Sequence, residues 1–236
     1  MTSNVISDIR KELTQQVDEK TKSNYHRVFK ENVTFYGVEN SRVNKIAAQY
    51  YQQVKDQSKK EILQLCEALL KSDYCEEAFI ACDWSYRLHN MYEPDDFLIF
   101  EGWLNKYINN WAKCDTLCNH TIGSFIEKYP QYLQNLKSWA KSSNRWLRRA
   151  AAVTLIIPAK QGKFLKDIVE IADILLMDTD DLVQKGYGWL LKNASIKYLN
   201  EIFDYVMKNK KIMPRTALRY AIEKMPQELK QKAMAK

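Results

Sequence analysis

The sequence predicts an all-α fold, because turn-forming residues are scarce and apolar residues recur at the spacing of helix faces. Its 236 residues include only six Gly and five Pro, too few for the many tight turns of an all-β protein. Apolar residues make up 46% of the chain, which is enough for a substantial core. The alternation of Val, Ile and Thr that is typical of strands is not convincing in any segment.

Stripes of apolar residues three and four positions apart predict helices along the whole chain. The first stripe runs from Val5 to Val17 and the second from Ile62 to Leu70, and later ones lie within 97–108, 168–176 and 196–206. Breaks between helices are expected at Gly37, Ser58, Ser72, Pro94, Pro130, 142–144, Gly162, 178–181, Pro214 and Pro226. The segments between these breaks have the length of ordinary globular helices.

Short helices joined by short polar turns indicate helix pairs that stack side by side. We expect one domain over residues 1–236, a superhelical stack of antiparallel helix pairs in units of about 40 residues, like HEAT repeats. Such a stack has a concave face, here expected to be basic, on which a long partner can lie. A compact helical bundle is the alternative, because the units share no clear self-similarity.

Positive charge is concentrated in the last two fifths of the chain. Residues 1–136 carry 16 Lys and Arg against 19 Asp and Glu, whereas residues 137–236 carry 20 against 10. This asymmetry indicates a polyanion bound along one face, and nucleic acid is the commonest such partner. A basic surface that contacts only solvent is the alternative.

The apolar patterning disfavours membrane and secreted classes. No stretch approaches the roughly 18 uncharged apolar residues of a membrane span, and the opening MTSNVISDIRKELTQQ lacks the apolar core of a secretion signal. Five cysteines without such a signal predict reduced thiols in a cytoplasmic protein. Cys114, Cys118 and His120 lie close together, but buried thiols on a helix face are favoured over a zinc site, which needs four ligands. We expect neither a metal nor a cofactor.

Trp111 and Asp115, in NNWAKCDTLC, are one helical turn apart. Positions i and i+4 share a helix face, so an indole and a carboxylate can address the same small target. An aromatic face attracts positive charge, and a carboxylate stabilises it strongly where water is excluded. The pair therefore suits a developing cation, such as the oxocarbenium ion formed when a glycosidic bond breaks.

Three further motifs follow this pair, namely SSNRWLRRAA, VQKGYGWLLK and MPRTALRYAIEKM. With these motifs in this order, the chain resembles the AlkD-like HEAT-repeat family of DNA alkylation repair proteins over most of its length. The resemblance implies a DNA glycosylase that acts on duplex DNA containing alkylated bases, as a monomer and without a cofactor. It also implies removal of positively charged N3- and N7-alkylpurines without base flipping, unlike most glycosylases.

The resemblance assigns the catalytic roles to Trp111, Asp115, Trp189 and Arg149. The two indoles would border the deoxyribose, Asp115 would stabilise the sugar cation and orient the attacking water, and Arg149 would hold a flanking phosphate. Each residue also has a structural interpretation, as a packing tryptophan, a surface or paired carboxylate, or a solvated arginine. Gly186 and Gly188, beside Trp189, could serve only a close helix approach.

Basic residues around these motifs are expected to hold the DNA backbone. They are Arg145, Arg148, Lys185, Lys192 and Arg215, together with Lys113, which lies between Trp111 and Asp115. Near its beginning the family carries a tyrosine that helps to cover the lesion. Here that position falls on Val28, and Tyr25, one turn earlier, is the expected substitute beside the substrate.

Two other functions stay open from the sequence. A non-catalytic relative could bind distorted or branched DNA on the same scaffold; Val28 favours this alternative and the retained Asp115 disfavours it. A protein-interaction scaffold is the third class, as for many helical solenoids.

Overall fold

The computed structural model describes residues 2–235, which confirm the all-α prediction and contain no β-strand. The helices are α1 (Thr2–Gln15), α2 (Glu19–Val28), α3 (Asn40–Val54), α4 (Lys59–Leu70), α5 (Cys75–Arg87), α6 (Asp96–Tyr107), α7 (Trp111–Thr116), α8 (Gly123–Lys128), α9 (Leu133–Trp139), α10 (Arg145–Val153), α11 (Ile156–Lys160), α12 (Leu165–Leu175), α13 (Asp181–Ala194), α14 (Leu199–Asn209), α15 (Arg215–Ala221) and α16 (Gln227–Met234). Single 3-10 turns occupy His89–Met91 and Pro130–Tyr132, and a π-helical segment occupies Leu117–Ile122.

The chain divides into two compact units, Met1–Leu117 and Cys118–Lys236. The division falls within the helical run that continues from α7 through the π-helical segment into α8. Charge follows the division, since the N-terminal unit has 15 Lys and Arg against 18 Asp and Glu, and the C-terminal unit has 21 against 11. The assignment of residues 1–236 to one domain stays a prediction.

Helix α5 is the centre of the N-terminal unit, where it packs against α3, α4 and α7. Its Trp84 is fully buried and donates a hydrogen bond from Nε1 to the carbonyl of Ala47, at 2.8 Å. The preceding helix α4 begins with a capping box, in which Ser58 and Glu61 each accept from the other's backbone N–H. The core of this unit therefore includes a helix, α4, whose beginning is fixed by side chains.

Two buried carboxylates at the start of α5 hold the irregular segment between α2 and α3. Glu76 accepts the backbone N–H groups of three consecutive residues, Tyr36, Gly37 and Val38, at 2.8–3.1 Å. Glu77 accepts from Arg10 at 3.0 Å and from the Tyr36 hydroxyl at 2.8 Å. Because a buried carboxylate needs several donors to offset its lost hydration, these bonds give the segment one conformation.

Helix α13 is the centre of the C-terminal unit, where it packs against α10, α11, α12 and α15. Its first turn is capped by Asp180, whose carboxylate accepts the N–H of Leu182 at 2.9 Å. Tyr187 is fully buried and donates to the carbonyl of Leu176 at 3.1 Å. Consecutive helices also pack together within each unit, as α4 does with α5 and α12 with α13.

The five cysteines are core residues. All are buried and reduced, and burial raises the pKa of the Cys75 thiol to about 12. Across residues 2–235, no three His, Cys, Asp or Glu side chains are grouped so that they could hold a metal ion. No helix in the described part of the chain has both the length and the apolar character required to cross a bilayer.

Gly188 is a point of close contact between α13 and α15, as one sequence interpretation suggested. A Cβ at this position would lie 2.7 Å from the carbonyl oxygen of Ala217 and 2.7 Å from Cβ of Tyr220. The backbone oxygen cannot rotate away, so any larger residue must push the two helices apart. Gly102, inside α6, differs because a Cβ there would meet no atom within 4 Å.

We predict opposite effects of alanine at these two glycines. Gly188→Ala should lower the free energy of unfolding by about 1–3 kcal/mol through overpacking. Gly102→Ala should raise it by about 0.5–1 kcal/mol, because alanine is the better residue inside a helix. Urea unfolding of both variants measures the difference, and equal effects at the two sites would contradict the close approach of α13 and α15.

Candidate functional site

Helix α7 presents Trp111 and Asp115 one turn apart, and both side chains are partly exposed. The helix begins after Asn110, whose buried side chain accepts the N–H of Lys113 at 3.0 Å. Trp111 is thus the first residue of α7, and the Asn110 cap fixes where the indole is placed. Asparagine before a predicted helix is a recognisable sequence signal for such a cap.

Lys113 lies on the side of α7 that faces away from Trp111 and Asp115, and it is buried. Its side chain is only 1% exposed, and its ammonium donates to the carbonyl and the carboxylate of Asp73 at 2.7 and 2.6 Å. Asn109 accepts a third hydrogen bond from it at 3.2 Å. This burial and pairing do not fit the DNA contact expected of Lys113, because a phosphate needs donors that face solvent.

Phe29 is the aromatic residue that covers Trp111 in this structure, and sequence reasoning missed it. The two rings stack with their centroids 5.2 Å apart and their planes 24° apart. Val28, where the expected register fell, is 56% exposed, one residue before this contact. Tyr25 lies behind Phe29, with ring centroids 6.0 Å apart, and donates its hydroxyl to Asn40 at 3.0 Å. Burial raises the pKa of Tyr25 to about 12, so the hydroxyl stays protonated near neutral pH.

The arginines of α10 join this helix to the start of α13 in the C-terminal unit. Arg148 donates to Asp178 at 2.6 Å and to the carbonyl of Ser142 at 3.0 Å. Arg145 pairs with Asp180, the residue that caps α13, at 2.7 Å. Carboxylates in the same unit therefore engage both arginines, which does not fit the interpretation of Arg148 as a solvated arginine.

Arg149 is the most enclosed of the three arginines. Arg149 is only 5% exposed, and its Nη1 donates a hydrogen bond to the carbonyl of Leu182 in the first turn of α13. Gly186 leaves room for it, since a Cβ there would lie 3.4 Å from Cγ of Arg149. This burial does not fit the phosphate contact expected of Arg149, because a phosphate needs donors that face solvent.

Trp189 lies on α13 and is partly exposed, whereas its neighbours Gly188 and Leu190 are buried. Its carbonyl accepts from the Asn193 side chain at 2.7 Å. Trp189 and Arg149 belong to the C-terminal unit, and Trp111 and Asp115 belong to the N-terminal unit.

The three remaining predicted phosphate contacts differ in how they are paired. Lys185 pairs with Asp181 at 3.0 Å, one turn away on the same helix. Lys192 pairs with Glu223 at 2.9 Å and lies over the ring of Tyr220. Arg215 is exposed at the start of α15 and contacts only the Met234 sulfur among the residues described. Its charge is thus available to a phosphate.

The π-helical segment Leu117–Ile122 follows Asp115 directly and was not foreseen. It contains an extra residue per turn, a feature that is frequent at functional sites. At its end, Gly123 faces the α10–α11 junction, where a Cβ would lie 3.0 Å from the carbonyl oxygen of Thr154. Hydrophobic spacing does not distinguish a single π turn from an α-helix, so the sequence carried no clear signal for it.

The comparisons with known proteins identify the family through a family model and the fold through solved structures. A family model described as "DNA alkylation repair enzyme" matches residues 9–225. No curated protein matches the chain. A predicted DNA alkylation repair enzyme from Enterococcus faecalis is similar in structure, with a TM-score of 0.80, 15% identity and coverage of 90% of this chain and 98% of that one.

Two structures from Streptococcus mutans are also similar. AlkD2 matches with a TM-score of 0.65 and 19% identity, over 95% of this chain and 99% of its own. The protein smu.31 of strain UA159 matches with a TM-score of 0.57 and 22% identity, over 81% of this chain and 97% of its own. At these identities the structural matches support the fold alone.

We predict that Phe29 and Trp111 stabilise the N-terminal unit jointly. In a double-mutant cycle with Phe29→Leu and Trp111→Leu, the two losses of unfolding free energy should differ from additivity by about 0.5–1.5 kcal/mol, as expected for stacked aromatic pairs. Urea unfolding gives the four values. As a control, Phe29→Leu and Tyr51→Leu should be additive, because Tyr51 contacts Trp84 and Arg87 instead. Additivity in both cycles would disprove the contact.

Proposed function

Because the chain belongs to the DNA alkylation repair enzyme family, whose model covers residues 9–225, we propose that it is a monofunctional DNA glycosylase. The proposed substrates are positively charged N3- and N7-alkylpurines in duplex DNA. The reaction hydrolyses the N-glycosidic bond and requires neither a metal nor a cofactor. The base stays within the duplex during the reaction.

The chemistry follows from the charge of the substrate. When the bond between C1′ and the purine nitrogen breaks, the electron pair goes to the cationic base, which leaves as a neutral alkylpurine. The sugar becomes an oxocarbenium ion, and water adds its oxygen to C1′ and loses a proton. The enzyme therefore does not need an acid for the leaving group, and its task is to stabilise the sugar cation and orient the water.

The pair formed by Trp111 and Asp115 carries the proposal. Both are on one short helix, one turn apart and partly exposed, so they can act on a target outside the protein. In the proposed complex the Asp115 carboxylate stabilises the sugar cation and accepts the proton of the attacking water. The indole of Trp111 contacts the deoxyribose, and its electron-rich face favours the developing charge. Trp189, partly exposed on α13 of the C-terminal unit, is a second proposed aromatic contact for the substrate.

DNA binding is supported by the charge of the C-terminal unit, which carries a formal excess of ten positive residues over residues 118–236. Arg215 supplies a free cation. Arg145, Arg148, Lys185 and Lys192 can contact phosphates only by exchanging or sharing their carboxylate partners. In the proposal, Arg149 supports α13 from inside the unit and does not hold a phosphate.

We predict that Asp115→Asn abolishes catalysis without abolishing binding. The amide has no negative charge and cannot accept the water proton, so base release from duplex DNA containing 7-methylguanine or 3-methyladenine should fall at least about 100-fold. Single-turnover release of free base measures this rate, and electrophoretic mobility shift measures binding. Asp204→Asn is the matched control, because Asp204 is an exposed residue of α14 and the change in charge is identical.

The same experiment separates the proposal from its alternative. If the wild-type protein releases no base from either lesion, the glycosylase proposal is wrong. Binding to branched DNA that exceeds binding to the methylated duplex, without release, would then identify a non-catalytic protein for distorted DNA. Equal release by Asp115→Asn and wild type would show that another residue performs the chemistry.

We also predict that Arg215 contributes one unit to the salt dependence of DNA binding. Arg215→Ala should reduce the slope of log K against log salt by about one, because one phosphate contact and its counterion release are lost. Fluorescence anisotropy over a series of salt concentrations measures the slope. Lys71→Ala removes the same charge from the acidic N-terminal unit and should leave the slope unchanged. A slope that changes only in Lys71→Ala would refute this assignment.

A further inference from the structure

Lys113 is a buried cation that the proposed chemistry does not use. Its ammonium lies against the turn between α4 and α5, where the Asp73 carbonyl and carboxylate accept its hydrogen bonds at 2.7 and 2.6 Å. Asp73 adopts a left-handed backbone conformation with φ of 66°, which turns its carbonyl toward α7. The Asp73 carboxylate also accepts from the Asn109 side chain at 2.7 Å. One turn thus holds both Lys113 and the residue that precedes the Asn110 cap.

The position of Lys113 within α7 decides what this contact controls. It is two residues from Trp111 and two from Asp115, and two residues on an α-helix correspond to roughly 200° of rotation. When the Lys113 side chain is drawn toward Asp73, Trp111 and Asp115 must therefore face the other way. The contact fixes the rotation of α7 about its own axis.

Other contacts also orient α7, since it packs against α5 and Phe29 stacks on Trp111. Its α-helical part comprises six residues, Trp111–Thr116, and so short a segment depends on tertiary contacts for its orientation. Beyond Thr116 the helical hydrogen bonding changes to the π pattern at Leu117. The Asn110 cap fixes where the helix begins, whereas the Lys113 contact fixes which residues face outward.

We infer that Lys113 is a positioning residue for catalysis, which acts by holding Trp111 and Asp115 toward the substrate. This inference rests on the proposed function for its catalytic part and on the geometry of α7 for its structural part. Lys113 does not contact DNA. Loss of its ammonium rotates or loosens α7, so the carboxylate no longer meets C1′ at the correct distance, while the basic surface of the C-terminal unit still binds DNA.

The test compares Lys113→Met with Lys113→Arg and with a matched variant, Lys59→Met. Lys59 also has a largely buried ammonium in the N-terminal unit, and it joins the starts of α4 and α6 by pairing with Asp96 at 2.9 Å and Glu93 at 2.5 Å. Lys59→Met therefore removes a comparable buried ion pair without changing any contact of α7. For each variant, the thermal midpoint is measured first. The base-release rate at saturating protein and the dissociation constant for methylated duplex are then measured well below that temperature.

Lys113→Met should slow base release by about 10- to 100-fold, as misplacement of a catalytic group by an ångström does. Its dissociation constant should stay within about threefold of wild type, because most affinity comes from phosphate contacts elsewhere. Lys113→Arg should recover part of the rate, because it keeps the charge and the donors. Lys59→Met should lower the thermal midpoint while releasing base at the wild-type rate.

Two outcomes would overturn the inference. If Lys113→Met weakens DNA binding with an unchanged rate at saturation, the ammonium acts on DNA. If Lys59→Met slows release as much as Lys113→Met, the effect is general destabilisation.

Amide hydrogen exchange keeps the inference testable if the wild type releases no base. In that case the glycosylase proposal fails, and exchange within Trp111–Thr116 decides the structural part. Faster exchange there in Lys113→Met, and not in Lys59→Met, supports the positioning of α7 by Lys113. Equal exchange in both variants refutes it.

Discussion

The orientation of α7 is the constraint on which the candidate site depends. A helix of six residues does not hold a direction by itself, so its outward face is decided by what its inward face contacts. Lys113 and Asn109 both contact Asp73, and Asn110 caps the first turn. The turn that carries Asp73 leads directly into α5, the central helix of the N-terminal unit. Trp111 and Asp115 are therefore held by the core, although they face outward.

The start of α5 also controls the second aromatic residue at this place. Glu76 and Glu77 hold the segment that follows Phe29, through the backbone of Tyr36 to Val38 and through the Tyr36 hydroxyl. Phe29 then lies on the indole of Trp111.

In the C-terminal unit, charged residues also join helices. The arginines of α10 bind carboxylates and a carbonyl in the segment that precedes and begins α13. A basic motif in the sequence is thus partly a means of joining helices.

Sequence reasoning gave the all-α class and the family, because periodic apolar residues and ordered motifs are local signals. It located the pair at 111 and 115 for the same reason. It did not foresee the burial of Lys113, whose partner Asp73 lies 40 residues away, or the contact of Phe29 with Trp111, which is also distant from it in the sequence. The burial of Arg149 was equally hidden, since it depends on the space left by Gly186 on another helix. In each case the surroundings of the side chain depend on a residue that is distant in the sequence.

The role of α7 can be observed in a crystal structure of the protein on duplex DNA that carries a cationic purine with a hydrolysis-resistant glycosidic bond. The sugar of the damaged nucleotide should lie against α7, with an Asp115 oxygen about 3–4 Å from C1′ or from a water beside it. The Lys113 ammonium should still be bound to Asp73. A lesion bound away from α7, or an Asp115 carboxylate turned from the sugar, would disprove the catalytic role of this helix.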